Sequence, residues 1–329
     1  MEKRYTASIT GVGSFLPRKV LTNDDLTKML DTTDEWITKR TGIKERRIVE
    51  NEVTASGLAI EASLRALDDA NILPSEIDLI VAATITPDCL VPSTACFIQE
   101  KIGAKSAGAF DLLAACSGFV YALSIAKSFV ASGAMKTVLV VGTECLSKIT
   151  DYTDRSTCIL FGDGAGAVVV QRGNGKKEIV TTYLGSDGSQ ADLLTLPAGG
   201  SVLPASQATI ESRSHYIQLK GKELFKTAIN NMVDMITKAA AENNMQVEDI
   251  DLIIPHQSNI RIIDAAMERL KQPREKAYIN IDRYGNTSAA SIPIAIDEID
   301  KGELLSPGDS VLLVAFGGGL TWGTSLIKW

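Results

Sequence analysis

"ALDDANILPSEIDLIV" (66–81) aligns without a gap to "AAAENNMQVEDIDLII" (239–254). Each passes from the end of a helix through a polar turn into an Ile-Asp-Leu-Ile strand start. The offset is 239 − 66 = 173. Farther on, "TVLVVG" (137–142) resembles "SVLLVA" (310–315), and 310 − 137 is again 173. Apolar strands resemble one another by composition alone, so a single match would mean little. Two matches at one offset argue for an internal duplication, with halves 1–173 and 174–329. The polar stretch "QRGNGKKE" (171–178) falls at the junction and reads as a linker.

Within each half, helical and strand patterns alternate. Residues 55–71 and 222–242 carry helical periodicity; Phe225, Ile229, Met232, Val233, Ile236 and Ala240 share one face. "LIVAAT", "TVLVVG", "AVVVQ" and "VLLVAF" are continuous apolar runs, the pattern of strands buried on both faces. The fold class is therefore α/β, with helices covering sheets. Residues 192–209, rich in Gly, Pro, Ser and Ala, read as a long surface loop.

Composition narrows the function. A length of 329 residues suits two domains or two fused halves. With 33 basic and 40 acidic side chains the net charge is −7, which gives no reason to expect nucleic-acid binding. No apolar run approaches the ~20 residues of a membrane span, and the opening "MEKRYTASITGVGSF" lacks a signal-peptide core. Five cysteines, at 89, 96, 116, 145 and 158, form neither a disulfide framework nor a recognised zinc spacing, so a reducing cytoplasm and no metal are expected.

Three positions can carry chemistry. Cys116, in "FDLLAACSGF" (110–119), stands where a strand gives way to a helix ending at Gly133. A helix N-terminus favours a thiolate, yet a free Cys also packs as a small hydrophobe, and position alone does not choose. Of the two histidines, His215 lies in polar "ESRSHYIQ" and reads as solvent-facing. His256 follows the strand "IDLIIP", at the end where open α/β sheets carry functional residues, although structural capping would also place it there. Asn286 in "RYGNTSAAS" is either a turn residue or a hydrogen-bond donor for a ligand. "FGDGAGAVVV" runs into a strand, which excludes a dinucleotide or phosphate loop and reads as a tight inter-strand turn. In "AFGGGLTWG" (315–323) three consecutive glycines permit an unusual backbone path that could aim an amide into a site.

Taken together, "AACSGF", "PHQSNIR", "YGNTSAAS" and "AFGGGLTWG" resemble the β-ketoacyl-[acyl-carrier-protein] synthase III family of the thiolase superfamily. The blocks "TTDEWITKRTGIKERR" (32–47) and "DYTDRSTCILFGDGAGA" (151–167) extend the resemblance over essentially the whole chain. It implies a thiolase-like duplicated α-β-α-β-α five-layered sandwich. It also implies a condensing enzyme that initiates fatty acid synthesis from an acyl-CoA and malonyl-acyl carrier protein, as a cytoplasmic homodimer. CoA enters as part of a substrate, and no cofactor is implied.

Residue by residue, the resemblance maps the family's Cys-His-Asn triad onto Cys116, His256 and Asn286, and its second oxyanion hole onto the amides of Cys116 and Gly318. Trp36 and Arg155 would flank the adenine of CoA. Thr32, Arg40, Gly221, Phe225 and Asn259 would line the rest of the CoA site. Lys226, Arg261 and Arg269 would receive the acidic carrier protein. Chain-elongating relatives use Cys-His-His, which would require His215. Biosynthetic thiolases use a second cysteine near the C-terminus, whereas all five cysteines here lie in the first half. Val91 stands where relatives often carry an aromatic residue in the segment reaching the partner's acyl pocket, which would leave room for branched or longer starters. Two other readings stay open: a starter-unit condensing enzyme or acyltransferase of polyketide or other specialised metabolism, and a non-catalytic partner subunit.

Overall fold

The computed structural model describes residues 5–173 and 175–329; the first four residues of the basic opening and residue 174 of the linker lie outside the described residues. The principal strands are Ala7–Phe15 (β1), Leu79–Ala83 (β2), Gly108–Leu112 (β3), Thr137–Cys145 (β4), Asp163–Arg172 (β5), Glu178–Ser186 (β6), Leu252–Pro255 (β7), Ser310–Gly317 (β8) and Thr321–Lys328 (β9). Their lateral order is β7-β8-β9-β6-β1-β5-β4-β2-β3. β1 and β6 meet through one residue pair, Ser8 with Glu178. The array therefore divides there into a five-stranded and a four-stranded sheet. The helices used below are Asp34–Thr41 (α1), Ala55–Ala70 (α2), Thr94–Ile102 (α3), Gly118–Ser132 (α4), Gly221–Glu242 (α5), Ile260–Arg269 (α6) and Ser291–Lys301 (α7).

Strand alternation sets the layers, because successive side chains point to opposite faces. In β4, Val138 and Val140 pack with α4 and α7, while Leu139 and Val141 face α2 and α3. In β8, Val311 and Leu313 join the α4/α7 cluster, while Leu312 and Val314 face α5 and α6. The stack is α2/α3, sheet, α4/α7, sheet, α5/α6. These are the five layers that the resemblance implied.

The 173-residue offset recurs in the geometry. The 3-10 turns Pro74–Glu76 and Val247–Asp249 stand one offset apart. β2 pairs in parallel with β4, Leu79 opposite Val138; β7 pairs in parallel with β8, Leu252 opposite Val311. A further pair escapes the sequence comparison. Ala115–Ser117 and Ser288–Ala290 are both 3-10 turns, and 288 − 115 is again 173. Each opens on a residue with left-handed φ, 45° at Ala115 and 48° at Ser288. Each leads directly into a central-layer helix, α4 or α7.

Three sequence expectations change. "FGDGAGAVVV" is not a tight turn: Asp163–Arg172 is all strand, and residues 146–162 make the long connection from β4. Its glycines let a helix approach. A Cβ on Gly166 would stand 2.7 Å from Pro293 Cβ, so α7 could not lie on β5. Residues 192–209 are not all loop, since Leu194–Thr195 pairs with Gln218–Leu219 and a short helix occupies Gln207–Glu211. Ala115–Ser132 is long and apolar enough to match a membrane span, yet it lies between two sheets, and that burial explains its composition.

Arg46 ties the first block of the resemblance to the second. It is fully buried and donates to Leu21 O, Asn23 Oδ1 and Ile159 O, with no carboxylate partner among the described residues. Burial pulls its pKa down to about 10, which still leaves it charged at neutral pH. Removing it would strand three buried acceptors, each worth about 1–3 kcal/mol of lost solvation. Arg46→Ala is expected to lower unfolding stability by about 3 kcal/mol or more, read from the urea midpoint. A change below about 0.5 kcal/mol would contradict this role.

Candidate active site

Cys116, His256 and Asn286 line one cavity of about 670 Å³. They come from three separate parts of the chain. Cys116 sits in the turn before α4, His256 directly follows β7, and Asn286 precedes the turn into α7. Strand ends and helix starts from both halves thus open into the same space.

Cys116 is buried, 8% exposed. Gly317, at the end of β8, packs against it so closely that a Cβ there would stand 2.5 Å from the Cys116 amide nitrogen. Burial pushes the thiol up to about 12, opposed by the Ser288 hydroxyl and the residue's own backbone N–H. The expected helix-terminal thiolate is therefore outweighed by desolvation. At rest the sulfur keeps its proton, and attack requires somewhere for that proton to go.

His256 is 1% exposed, and burial pulls its pKa down to about 3, so the ring is neutral. Nδ1 lies 2.7 Å from Ser291 Oγ. The Gln257 backbone N–H also points at that oxygen, at 3.5 Å, and an N–H can only donate. Ser291 Oγ keeps a second lone pair that Nδ1–H can use; when the hydroxyl instead donates to Nδ1, the ring proton sits on Nε2. In that tautomer His256 can donate a hydrogen bond into the cavity. Asn286 is oriented by similar logic. Its Oδ1 accepts from the Ser288 backbone N–H at 2.8 Å, so its NH₂ is the end left to donate.

Of the remaining sequence candidates, Trp36, Arg40, Arg155, Gly221, Phe225, Asn259, Arg261 and Gly318 line the same cavity. Asn259 caps α6 by accepting from the Arg261 N–H, and its Nδ2 donates to Arg40 O. Thr32 is not in the wall. Its hydroxyl is buried without a partner, and Thr41 of α1 stands in the lining instead. Arg155 lies 4.9 Å from the Trp36 ring centroid, held by donation to Asp31 O. A planar base between them needs about 7 Å, two carbon contacts of about 3.5 Å each. Arg155 must therefore swing aside before an adenine can stack on Trp36. Lys226 and Arg269 lie outside the cavity, exposed on α5 and α6. Val91 is 85% exposed and touches no part of it. His215 is half-buried against Tyr216, not solvent-facing, and away from the site.

Sequence reading missed several wall residues. Leu194 and Leu219 meet only through a two-residue strand pair, Lys222 carries no motif, and Ser258 stood inside the quoted "PHQSNIR" without being singled out. Ser291 stood inside a quoted motif, but its bond to His256 spans 35 residues.

The protonation reading has a direct check. Nitrogen-15 NMR of labelled protein is expected to show His256 neutral, protonated on Nε2, and unchanged between pH 8 and 5. A titration near 6.5 would contradict it. In Ser291→Ala the two tautomers are expected to mix.

Residues 110–188 match the family model for 3-oxoacyl-[acyl-carrier-protein (ACP)] synthase III, and residues 240–329 match its C-terminal counterpart. The chain is 53% identical to the β-ketoacyl-[acyl-carrier-protein] synthase III of Caldanaerobacter subterraneus over 329 residues, covering 100% of this chain and 99% of that one. The solved synthase III of Aquifex aeolicus superposes with a TM-score of 0.91 at 49% identity, covering 98% of this chain and 100% of that one. The priming β-ketosynthase of the R1128 polyketide pathway superposes at 0.92 with 35% identity, covering 100% and 97%. With full-length identity of this order, five layers and one cavity holding Cys, His and Asn, the chain belongs to the β-ketoacyl-[acyl-carrier-protein] synthase III family.

Proposed function

We propose that this cavity performs the condensation that initiates fatty acid synthesis. An acyl-CoA and malonyl-acyl carrier protein give 3-oxoacyl-acyl carrier protein, CoA and CO₂ in a ping-pong sequence through acyl-Cys116. The observation that carries this reading is the meeting of one buried thiol with two oriented neutral donors in a single cavity. The halves 1–173 and 174–329 each supply part of it: Cys116 from the first, His256 and Asn286 from the second.

In the first step Cys116 Sγ attacks the thioester carbon and CoA leaves, an exchange of one thioester for another. The Cys116 and Gly318 amides hold the oxyanion. Malonyl thioester then loses CO₂, and the resulting enolate oxygen accepts from His256 Nε2–H and the Asn286 amide. In a site this dry such donors are strong. The carbanion attacks acyl-Cys116 and frees the sulfur. Among the described residues Cys116 is the only cysteine in the cavity wall, which leaves no second thiol there to make the carbanion by deprotonation. The chemistry asks for no cofactor.

Trp36, Arg40, Arg155, Gly221, Phe225 and Asn259 serve the CoA arm. Arg261, stacked on Phe225 at 5.2 Å, together with Lys226 and Arg269, forms a basic rim suited to an acidic carrier protein. The chain acts as a homodimer in the cytoplasm. The edge strand β3 is half-exposed, and Leu90, Val91 and Leu113 beside it are 81%, 85% and 78% exposed, an apolar edge that a second copy would cover. Cys89 and Cys96 are free and exposed, as a reducing compartment allows. Val91 would then reach the partner's acyl pocket.

Mass spectrometry after incubation with acyl-CoA is expected to show acylation of Cys116 and none in Cys116→Ala. His256→Ala should still acylate but lose about 10²–10³-fold in CO₂ release. Equal loss of both steps would overturn the division of labour. Across acetyl-, isobutyryl- and octanoyl-CoA, turnover of the branched or longer starters is expected; strict acetyl preference would contradict the role given to Val91.

A further inference from the structure

Gln257 follows His256 in the chain, has no part in the chemistry above and is 1% exposed. Every hydrogen-bonding position of its side-chain amide is filled. Nε2 donates to Pro255 O at 2.9 Å and to Tyr278 O at 3.0 Å. Oε1 accepts from the Asn280 and Ile281 backbone N–H groups, each at 3.1 Å. Two carbonyls at one end and two N–H groups at the other fix which end is oxygen, because the flipped amide would set donor against donor. An apolar side chain of the same size could make none of these bonds.

The bonds reach from the end of β7 to the segment that carries Asn286. Asn280, at the N-cap of the short helix Ile281–Tyr284, makes no side-chain cap of its own; Gln257 satisfies the first N–H groups instead. Ile281 O then accepts from the Gly285 N–H at 2.9 Å, and Asn286 comes next. On its far side Asn286 is clamped by backbone, donating to Leu160 O at 2.8 Å and accepting from the Gly162 N–H at 3.0 Å. Ser291 Oγ, five residues after Asn286, lies 2.7 Å from His256 Nδ1. His256 and Gln257 together therefore grip the chain on both sides of Asn286. Glu298 of α7 holds the same segment from its outer side. It accepts from Asn280 Nδ2 and Tyr284 Oη, each at 2.7 Å, and from Tyr278 Oη at 3.1 Å.

We propose that Gln257 is a positioning residue that sets the His256 and Asn286 donors relative to one another and so serves the enolate-forming step, not the acylation step. This rests on reading Cys116 as the nucleophile and that pair as the donors to the enolate oxygen. The two donors stand 286 − 256 = 30 residues apart and must converge on one atom. Donors aimed at developing charge are effective when they are held in place beforehand. A buried polar network is rigid when every member is satisfied, and loosens when one is missing. None of the four Gln257 bonds reaches the turn that carries Cys116. Attack on acyl-CoA therefore does not draw on them.

The test compares the two half-reactions in the full-length protein. Mass spectrometry after timed mixing with acetyl-CoA reads acylation of Cys116, and CO₂ release from malonyl-acyl carrier protein reads the second step. Gln257→Leu should acylate at the wild-type rate and lose about a hundredfold in CO₂ release, the effect of misplacing a group by about 1 Å. In the His256→Ala background the same change should cost far less, because groups that act through one another do not give additive losses. If Gln257→Leu does not fold, Glu298→Ala decides, since it frees the same segment from outside and should show the same split with a smaller loss. Equal loss in both half-reactions would show general loosening and overturn the proposal. So would losses in the double variant that multiply to the product of the single ones. Wild type and His256→Ala separate this from the underlying reading. An unacylated Cys116 in the first, or undiminished CO₂ release in the second, would sink the reaction itself. Undiminished CO₂ release in Gln257→Leu alone would sink only the role of Gln257.

Discussion

Everything at the active site depends on a crossed contact between the two halves. Each half ends a central strand against the turn that starts the other half's buried helix. β8 presses Gly317 onto the Cys116 amide, and β4 presses Gly142 onto Ala289. Neither glycine position tolerates a side chain, because backbone stands where its Cβ would be. The two turns take left-handed backbone at Ala115 and Ser288, a conformation that is costly for residues with a Cβ and persists only where packing imposes it. The site is therefore a by-product of how two copies of one unit must interlock. Burying α4 and α7 between the sheets brings their N-terminal turns together.

That same burial sets the electrostatics. Removing Cys116, His256 and Glu144 from water drives each toward its neutral form, the thiol and carboxyl upward and the imidazole downward. The resting cavity is consequently close to uncharged, and charge develops only as bonds change. Fixed neutral donors are well suited to such a place. Ser291 Oγ holds the imidazole and the Ser288 N–H orients the Asn286 amide, so both side chains are fixed in place by hydrogen bonds from within the protein. The cations stay at the rim, where Arg40, Arg155 and Arg261 remain exposed to solvent and can engage phosphate or an acidic partner.

Legibility in the sequence followed the range of the interactions concerned. Cys116, His256 and Asn286 could be singled out because each is marked by its immediate neighbours: small residues before a helix, a strand end, a glycine turn. Their meeting in one cavity could be expected only through the resemblance. The glycines of "FGDGAGA" were visible but misread, because Gly164 and Gly166 accommodate a helix about 130 residues farther on, at Pro293 and Ile294 of α7, and Gly162 accommodates the backbone of Tyr284. Thr41, and not Thr32, stands in the cavity lining, and which threonine does so depends on how α1 seats against the rest of the molecule. Leu194 and Lys222 carried no local signal at all.

The chain's own pattern was enough to determine the α/β class, the duplication and its 173-residue offset, since repeated periodicity is written in neighbouring residues and survives in any packing. Tertiary structure alone decided which partners those residues meet. It turned a helix-terminal thiolate into a protonated thiol, set Ser291 Oγ against His256 Nδ1, closed Arg155 onto Trp36 and buried the Glu144 carboxyl with no ion pair among the described residues. All four outcomes depend on desolvation and on contacts between distant segments, and these come into being only when the two halves close around the central helices.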